Sequence, residues 1–241
     1  MKVSTYQMNT NNRIIFCLDF DSVKTAKIWV EMLKNKIKFF KVGWQLFLNG
    51  GLDFVKWLKD QNVNVMLDLK FFDIPRTINA VLNRIGDEAD YITVHSQYGI
   101  MKEISEEFRK KILGVTMLTC FNNYDIKNES ILVELPEVVR SRALKTYESG
   151  CGGIVLSGSE LDYIKNTLNM WGYTRSDFIL VVPGIKLDQE RNDDQERTST
   201  IDFAFENGAD YVVIGRPIYK SKDPIKTVEL AQEKISNYFI K

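Results

Sequence analysis

Apolar runs rich in β-branched residues alternate eight times with amphipathic segments along this chain, and no other feature restricts its fold as much. The runs cover residues 13–18, 39–42, 63–69, 91–94, 113–118, 153–156, 178–182 and 211–214. The amphipathic segments cover 23–34, 52–61, 78–85, 100–109, 137–148, 159–168, 200–206 and 224–238. Such an alternation predicts a parallel sheet covered by helices. Eight units are also the number that closes a (β/α)8 TIM barrel, and 241 residues match the roughly 250 that such a barrel uses. An open doubly wound sheet is the alternative. We expect a polar N-terminal extension, residues 1–12, followed by one barrel domain over residues 13–241.

Nothing in the chain reads as a linker. Gly50-Gly51, Gly86 and Gly114 read as turn punctuation, and Asn207-Gly208-Ala209-Asp210 as a helix stop before a strand. The longest irregular stretches are residues 121–136 and 183–199. In a barrel both follow strands, on the face where catalytic loops gather.

The corner Met66-Leu67-Asp68-Leu69-Lys70-Phe71-Phe72-Asp73-Ile74-Pro75-Arg76-Thr77 concentrates charge where a strand gives way to a helix. Val63, Val65, Leu67 and Leu69 form one strand face, so Asp68 and Lys70 share the other at the carboxyl end. Pro75 suits the first turn of the next helix. Taken alone, Asp-x-Lys is an ordinary surface salt bridge. In a barrel, however, Asp19 and Lys41 also end strands and converge on the same face. Lys41, Asp68, Lys70 and Asp73 then alternate in sign, an array in which every charge has an opposite neighbour. A purely structural network is the competing reading. After the last strand, Gly215 allows close backbone approach and Arg216 can grip phosphate with two parallel donors. Barrels often bind phosphate there, although Gly-Arg-Pro by itself is an ordinary turn.

Composition removes several classes of function. Lys plus Arg and Asp plus Glu number 32 each, so no global field favours nucleic acid or an anionic membrane. No apolar run approaches the roughly 20 residues of a membrane helix, and the polar start lacks the apolar core of a secretion signal. The three cysteines, Cys17, Cys120 and Cys151, are odd in number and widely spaced, which fits reduced thiols in a cytoplasm. One histidine, His95, and no Cys-x-x-Cys give little support for metal binding. His95 closes a strand and reads as structural.

Asp-x-Lys-x-x-Asp-Ile-Pro-x-Thr at residues 68–77 resembles the active-site motif of the orotidine 5'-monophosphate decarboxylase family. Leu18-Asp19, Lys41-Val42-Gly43, Val94-His95, Leu118-Thr119, Val182-Pro183-Gly184-Ile185, Asp194-Gln195 and Ile214-Gly215-Arg216-Pro217-Ile218 extend the resemblance, in family order, over nearly the whole chain. The resemblance implies a (β/α)8 barrel that removes carbon dioxide from orotidine 5'-monophosphate without metal or organic cofactor, giving uridine 5'-monophosphate. It implies that Gln195, Gly215, Arg216 and Lys186 hold the phosphate, that Thr119 and Thr77 touch the nucleotide, and that Asp19 and Lys41 hold the ribose. Asp68 would face the departing carboxylate and Lys70 would donate the proton. Asp73 and Thr77 would reach into the partner's site of a homodimer. Two positions depart from the pattern: Lys186 replaces an arginine, losing its planar fork, and Ser96-Gln97-Tyr98-Gly99 replaces a smaller, glycine-richer stretch. Sister barrels that act on sugar phosphates with magnesium share Asp-x-Lys-x-x-Asp. They carry a glutamate where Lys41 stands and lack the Ile-Pro-x-Thr continuation. A non-catalytic phosphate binder on a decayed barrel is a further alternative, opposed by the intact Asp68, Lys70 and Asp73.

Overall fold

The computed structural model of the protein describes residues 13–170, 178–187 and 198–239. The first half runs β1 (Ile14–Cys17), α1 (Val23–Leu33), β2 (Phe39–Gly43), α2 (Trp44–Asp60), β3 (Asn64–Phe71), α3 (Pro75–Ile85), β4 (Tyr91–His95), α4 (Tyr98–Met101) and α5 (Glu106–Arg109). The second half runs β5 (Ile112–Val115), α6 (Asn123–Asn128), α7 (Leu135–Glu148), β6 (Gly153–Val155), α8 (Leu161–Met170), β7 (Ile179–Val182), β8 (Ile185–Lys186), β9 (Ser199–Thr200), α9 (Ile201–Glu206), β10 (Tyr211–Ile214), α10 (Arg216–Tyr219) and α11 (Pro224–Phe239).

Strands β1 to β7 and β10 close a parallel barrel in chain order. Closure is direct: Ile15 lies opposite Phe39 on one side of β1, and Ile14 opposite Val212 on the other. The expected barrel is therefore present and the open sheet is not. Strands β8 and β9 form a separate parallel ribbon, pairing Ile185 with Ser199 and Lys186 with Thr200.

Two packed layers hold the barrel. Outward-facing residues such as Ile14, Phe16, Phe40, Val65 and Leu67 meet the helices. Inward-facing Ile15, Cys17, Phe39, Met66, Leu113, Val115, Val155, Val181, Tyr211 and Val213 fill the interior. This double burial is why β1 reads as an unbroken apolar run. At the amino ends of the strands Phe39 stacks on Tyr91 at 5.6 Å between ring centres and meets Tyr211 edge-on at 5.5 Å. These rings plug the bottom, so the cavity opens at the carboxyl ends. Helix α3 shows how a crossover is fastened: Pro75 opens it, and Ile78, Leu82 and Ile85 are buried along one stripe. Each such residue contributes about 1.5–3 kcal/mol on burial.

The elements differ from expectation in four places. The helix expected from residue 52 does follow a break at Gly51, at φ 53°, but a further helical stretch from Trp44 precedes the break, and the two together make α2. Gly114 is no turn: it sits within β5, where a Cβ would come within 2.4 Å of the Ser96 hydroxyl. The helix expected over residues 100–109 is two short ones. Asn79 captures the chain between them, accepting from the Ser105 amide at 3.0 Å and donating to the Glu103 carbonyl at 2.8 Å. Residues 121–136, expected to be irregular, contain α6, started by a reciprocal cap between Asn122 and Asp125.

Candidate active site

The carboxyl ends of β1, β2 and β3 place Asp19, Lys41, Asp68 and Lys70 together. Cys17 pairs in register with Lys41, and Gly43 with Asp68, so the three strand ends lie side by side. The Lys41 ammonium is 3.2 Å from Asp19 Oδ1 and 3.3 Å from Asp68 Oδ2. The Lys70 ammonium is 2.9 Å from the same Asp68 Oδ2. Lys41 and Asp68 keep only 11% and 10% of their side-chain surface, whereas Lys70 keeps 35% and is the ammonium open to a ligand. Burial alone would raise the Asp68 carboxyl, but Lys41, Lys70 and two hydrogen bonds hold it down at about 2. Burial likewise works against charge on Lys41, and Cys17, Asp68 and Asp19 outweigh it and hold the lysine above its ordinary range. Burial pushes the Cys17 thiol up to about 12, so this sulfur is a neutral wall, not a nucleophile.

The corner after Asp68 is strained. Lys70 has φ 46°, a region that costs a residue with a side chain about 1–3 kcal/mol. The pairing of β3 with β4 shifts register between Leu67 and Phe71, so this stretch leaves the regular ladder. Thr93, in the middle of β4 and fully buried, fills the gap. Its hydroxyl accepts from the Lys70 amide at 2.8 Å and donates to Asp68 Oδ1 at 2.9 Å.

A cavity of about 220 Å³ runs from this array to the start of α10. Asp19, Lys41, Asp68 and Lys70 line one end, and Gly215, Arg216 and Pro217 line the other. Thr119 and Leu118 stand on one side, and Pro183, Gly184 and Ile185 border it after β7. Between the charged end and Arg216 the wall is apolar, made by Met66, Val115, Met117, Val155, Leu156 and Val213. Sequence reading missed Cys17, Thr93 and these apolar residues. The signal was present only in the inward register of the strands. It also missed Arg142, which reaches from α7 and donates to the Thr116 carbonyl at 2.6 Å.

Three expected residues, Asp73, Thr77 and Lys186, do not line the cavity. Asp73 and Thr77 are exposed and do not line this chain's cavity. Among the described residues the Asp73 carboxylate makes no ion pair; it accepts from the Ile74 amide at 2.7 Å. Lys186 sits in β8 beside the lining Ile185 without lining the cavity itself. Gln195 lies outside the described residues. His95 packs its ring edge-on against Phe72 at 5.5 Å and does not line the cavity. Burial, then Arg142 and Lys70, lower its pKa, which keeps it neutral.

Comparison with known proteins identifies the family. A chain from Methylococcus capsulatus described as orotidine 5'-phosphate decarboxylase is 36% identical, over 95% of this chain and 93% of its own. One of the same description from Dictyoglomus turgidum is 37% identical, over 93% and 95%. The solved structure of orotidine 5'-phosphate decarboxylase from Lactobacillus acidophilus superposes with a TM-score of 0.77 at 27% identity, covering 93% of this chain and 99% of that one. The profile of the orotidine 5'-phosphate decarboxylase / HUMPS family matches residues 12–231, and the chain belongs to that family.

Proposed function

We infer that the chain is a carboxy-lyase that converts orotidine 5'-monophosphate to uridine 5'-monophosphate and carbon dioxide, the last step in making this pyrimidine nucleotide. One observation carries the reading: a single cavity has the Asp19, Lys41, Asp68 and Lys70 array at one end and Gly215 and Arg216 at the other. An apolar wall between two charged ends suits a flat pyrimidine with a carboxylate on one side and a phosphate on the other. The phosphate would lie against Gly215 and Arg216, with Lys186 and Gln195 completing the grip. Thr119 would contact the base, and Asp19 and Lys41 the ribose hydroxyls.

The chemistry is electrostatic. The substrate carboxylate would sit beside ionised Asp68, an unfavourable contact that is relieved as the carbon–carbon bond breaks and neutral carbon dioxide leaves. The electron pair stays on the ring carbon, next to the Lys70 ammonium, which stabilises it and then supplies the proton. Stabilising charge where it develops is the largest general catalytic effect. Contacts to the distant phosphate can hold the ring against this array and so contribute to the rate.

Lys41 separates this reading from the magnesium-dependent sugar-phosphate sisters. A divalent cation shared by Asp19 and Asp68 would need the space that the Lys41 ammonium fills, 3.2 and 3.3 Å from the two carboxylates. Turnover of orotidine 5'-monophosphate, followed by ultraviolet absorbance, is therefore expected to be unchanged by excess chelator. A loss of activity restored by magnesium would favour the sister reaction instead.

The phosphate grip has its own test. Arg216→Ala is expected to weaken binding of uridine 5'-monophosphate by roughly 2–4 kcal/mol, the loss of a charge-assisted pair. Uridine, which lacks the phosphate, should bind both proteins almost equally in calorimetry. Equal losses for the two ligands would remove Arg216 from the phosphate site.

The active unit we propose is a homodimer with shared sites. Asp73 and Thr77 are exposed and do not line their own cavity, and Phe72 and Ile74 beside them are 66% and 64% exposed. Apolar side chains this open on one turn fit burial against a second copy. A cytoplasmic location fits the three free cysteines. Among the described residues no helix is long and apolar enough to cross a membrane.

A further inference from the structure

We propose that Thr93 is a positioning residue for the reaction: its hydroxyl couples the Asp68 carboxylate to the main chain of Lys70 and so fixes where the Lys70 ammonium stands. The inference rests on the roles given above to Asp68 and Lys70. Thr93 does not line the cavity and touches no substrate, so it acts only through these two residues.

The direction of each bond follows from elementary chemistry. The Lys70 amide can only donate, so the 2.8 Å contact makes the Thr93 oxygen an acceptor. The hydroxyl has one proton, and the 2.9 Å contact gives it to Asp68 Oδ1. Oδ1 is thereby occupied, and Oδ2 is left to both ammoniums, Lys70 at 2.9 Å and Lys41 at 3.3 Å. The carboxylate cannot rotate without breaking the hydroxyl bond. The second bond matters as much. Between Leu67 and Phe71 the β3–β4 ladder is out of register, and the Thr93 side chain takes the Lys70 amide there. An unpartnered amide would pull the chain toward other bonds, and the φ of 46° would relax. Because Lys70 carries the proton, a small turn of its backbone moves the ammonium by a large part of a bond length. Misplacement on that scale is enough to lower a rate by one to two orders of magnitude.

The test uses three variants of the full chain. Thr93→Val keeps the branched shape and removes both bonds. Its kcat is expected to fall about 10- to 100-fold, while KM for orotidine 5'-monophosphate and Kd for uridine 5'-monophosphate stay within about threefold. Thr93→Ser restores the hydroxyl without the methyl and should recover kcat to within about threefold of wild type. A thermal melt accompanies each protein. Should the valine variant melt below the assay temperature, Thr93→Cys, nearly the same size as serine with only a weak donor, carries the same expectation. A kcat within twofold of wild type for the valine or cysteine variant overturns the inference. So does a loss shared by kcat and KM that serine fails to recover, which would mark Thr93 as merely structural. Lys70→Ala run alongside keeps the two readings apart. If that variant is inactive while Thr93→Val is not impaired, only the Thr93 inference fails.

Discussion

Lys70→Ala is expected to lose at least ~10³-fold in turnover, since in the proposed mechanism it removes both the proton donor and the charge that stabilises the ring carbon. The fold should tolerate the change. Asp68 keeps its 3.3 Å partner Lys41 and its hydrogen bond from Thr93, so no buried carboxylate is left alone. The strained φ of 46° remains in the variant and has no effect of its own, because alanine is no freer there than lysine. In the proposed placement uridine 5'-monophosphate is held mainly at the far end of the cavity, so its binding should change little by calorimetry. Steady-state turnover by ultraviolet absorbance is the decisive measurement. A variant retaining more than a tenth of wild-type activity would remove Lys70 from the centre of the mechanism.

The charged array was legible because its residues sit in or just beyond the carboxyl-terminal parts of the strands. Asp19, Lys41, Asp68 and Lys70 each follow an apolar run, and a barrel brings every such position to one face. The barrel itself was legible from the alternation of eight runs with amphipathic segments, since length and element order leave few topologies. What stayed hidden depends on contacts between residues distant in sequence. Thr93 looks like any threonine inside a strand until the β3–β4 register places it opposite the irregular corner. Gly114 looked like a turn because its reason for lacking a side chain is Ser96 and Thr146, packed on it from other elements. Asn79 breaks the run of residues 100–109 from a different helix, which periodicity within that run cannot reveal. The start of α6 is a different case. Asn122 followed by Asp125 is a local capping pattern, readable in the sequence and passed over.

Mixing two inactive variants is expected to return about a quarter of wild-type activity, and this result bears on the shared-site dimer directly. Asp73 makes no ion pair among the described residues of its own chain and sits between exposed Phe72 and Ile74. If it serves a partner's site, Asp73→Asn disables the site across the interface, whereas Lys70→Ala disables its own. In a mixed dimer, one site then takes Lys70 from the Asp73→Asn chain and Asp73 from the Lys70→Ala chain, and is wild type. The other site carries both defects. Random pairing after dissociation makes about half the dimers mixed, each with one good site of two, hence about a quarter. Against the Lys70→Ala parent, with its ~10³-fold loss, this is a rise of about a hundredfold or more. Exchange must be shown independently, for example with chains of two different masses. If exchange is complete and activity stays at the level of the parents, Asp73 acts within its own chain. The exposed turn at Phe72 and Ile74 would then need another explanation.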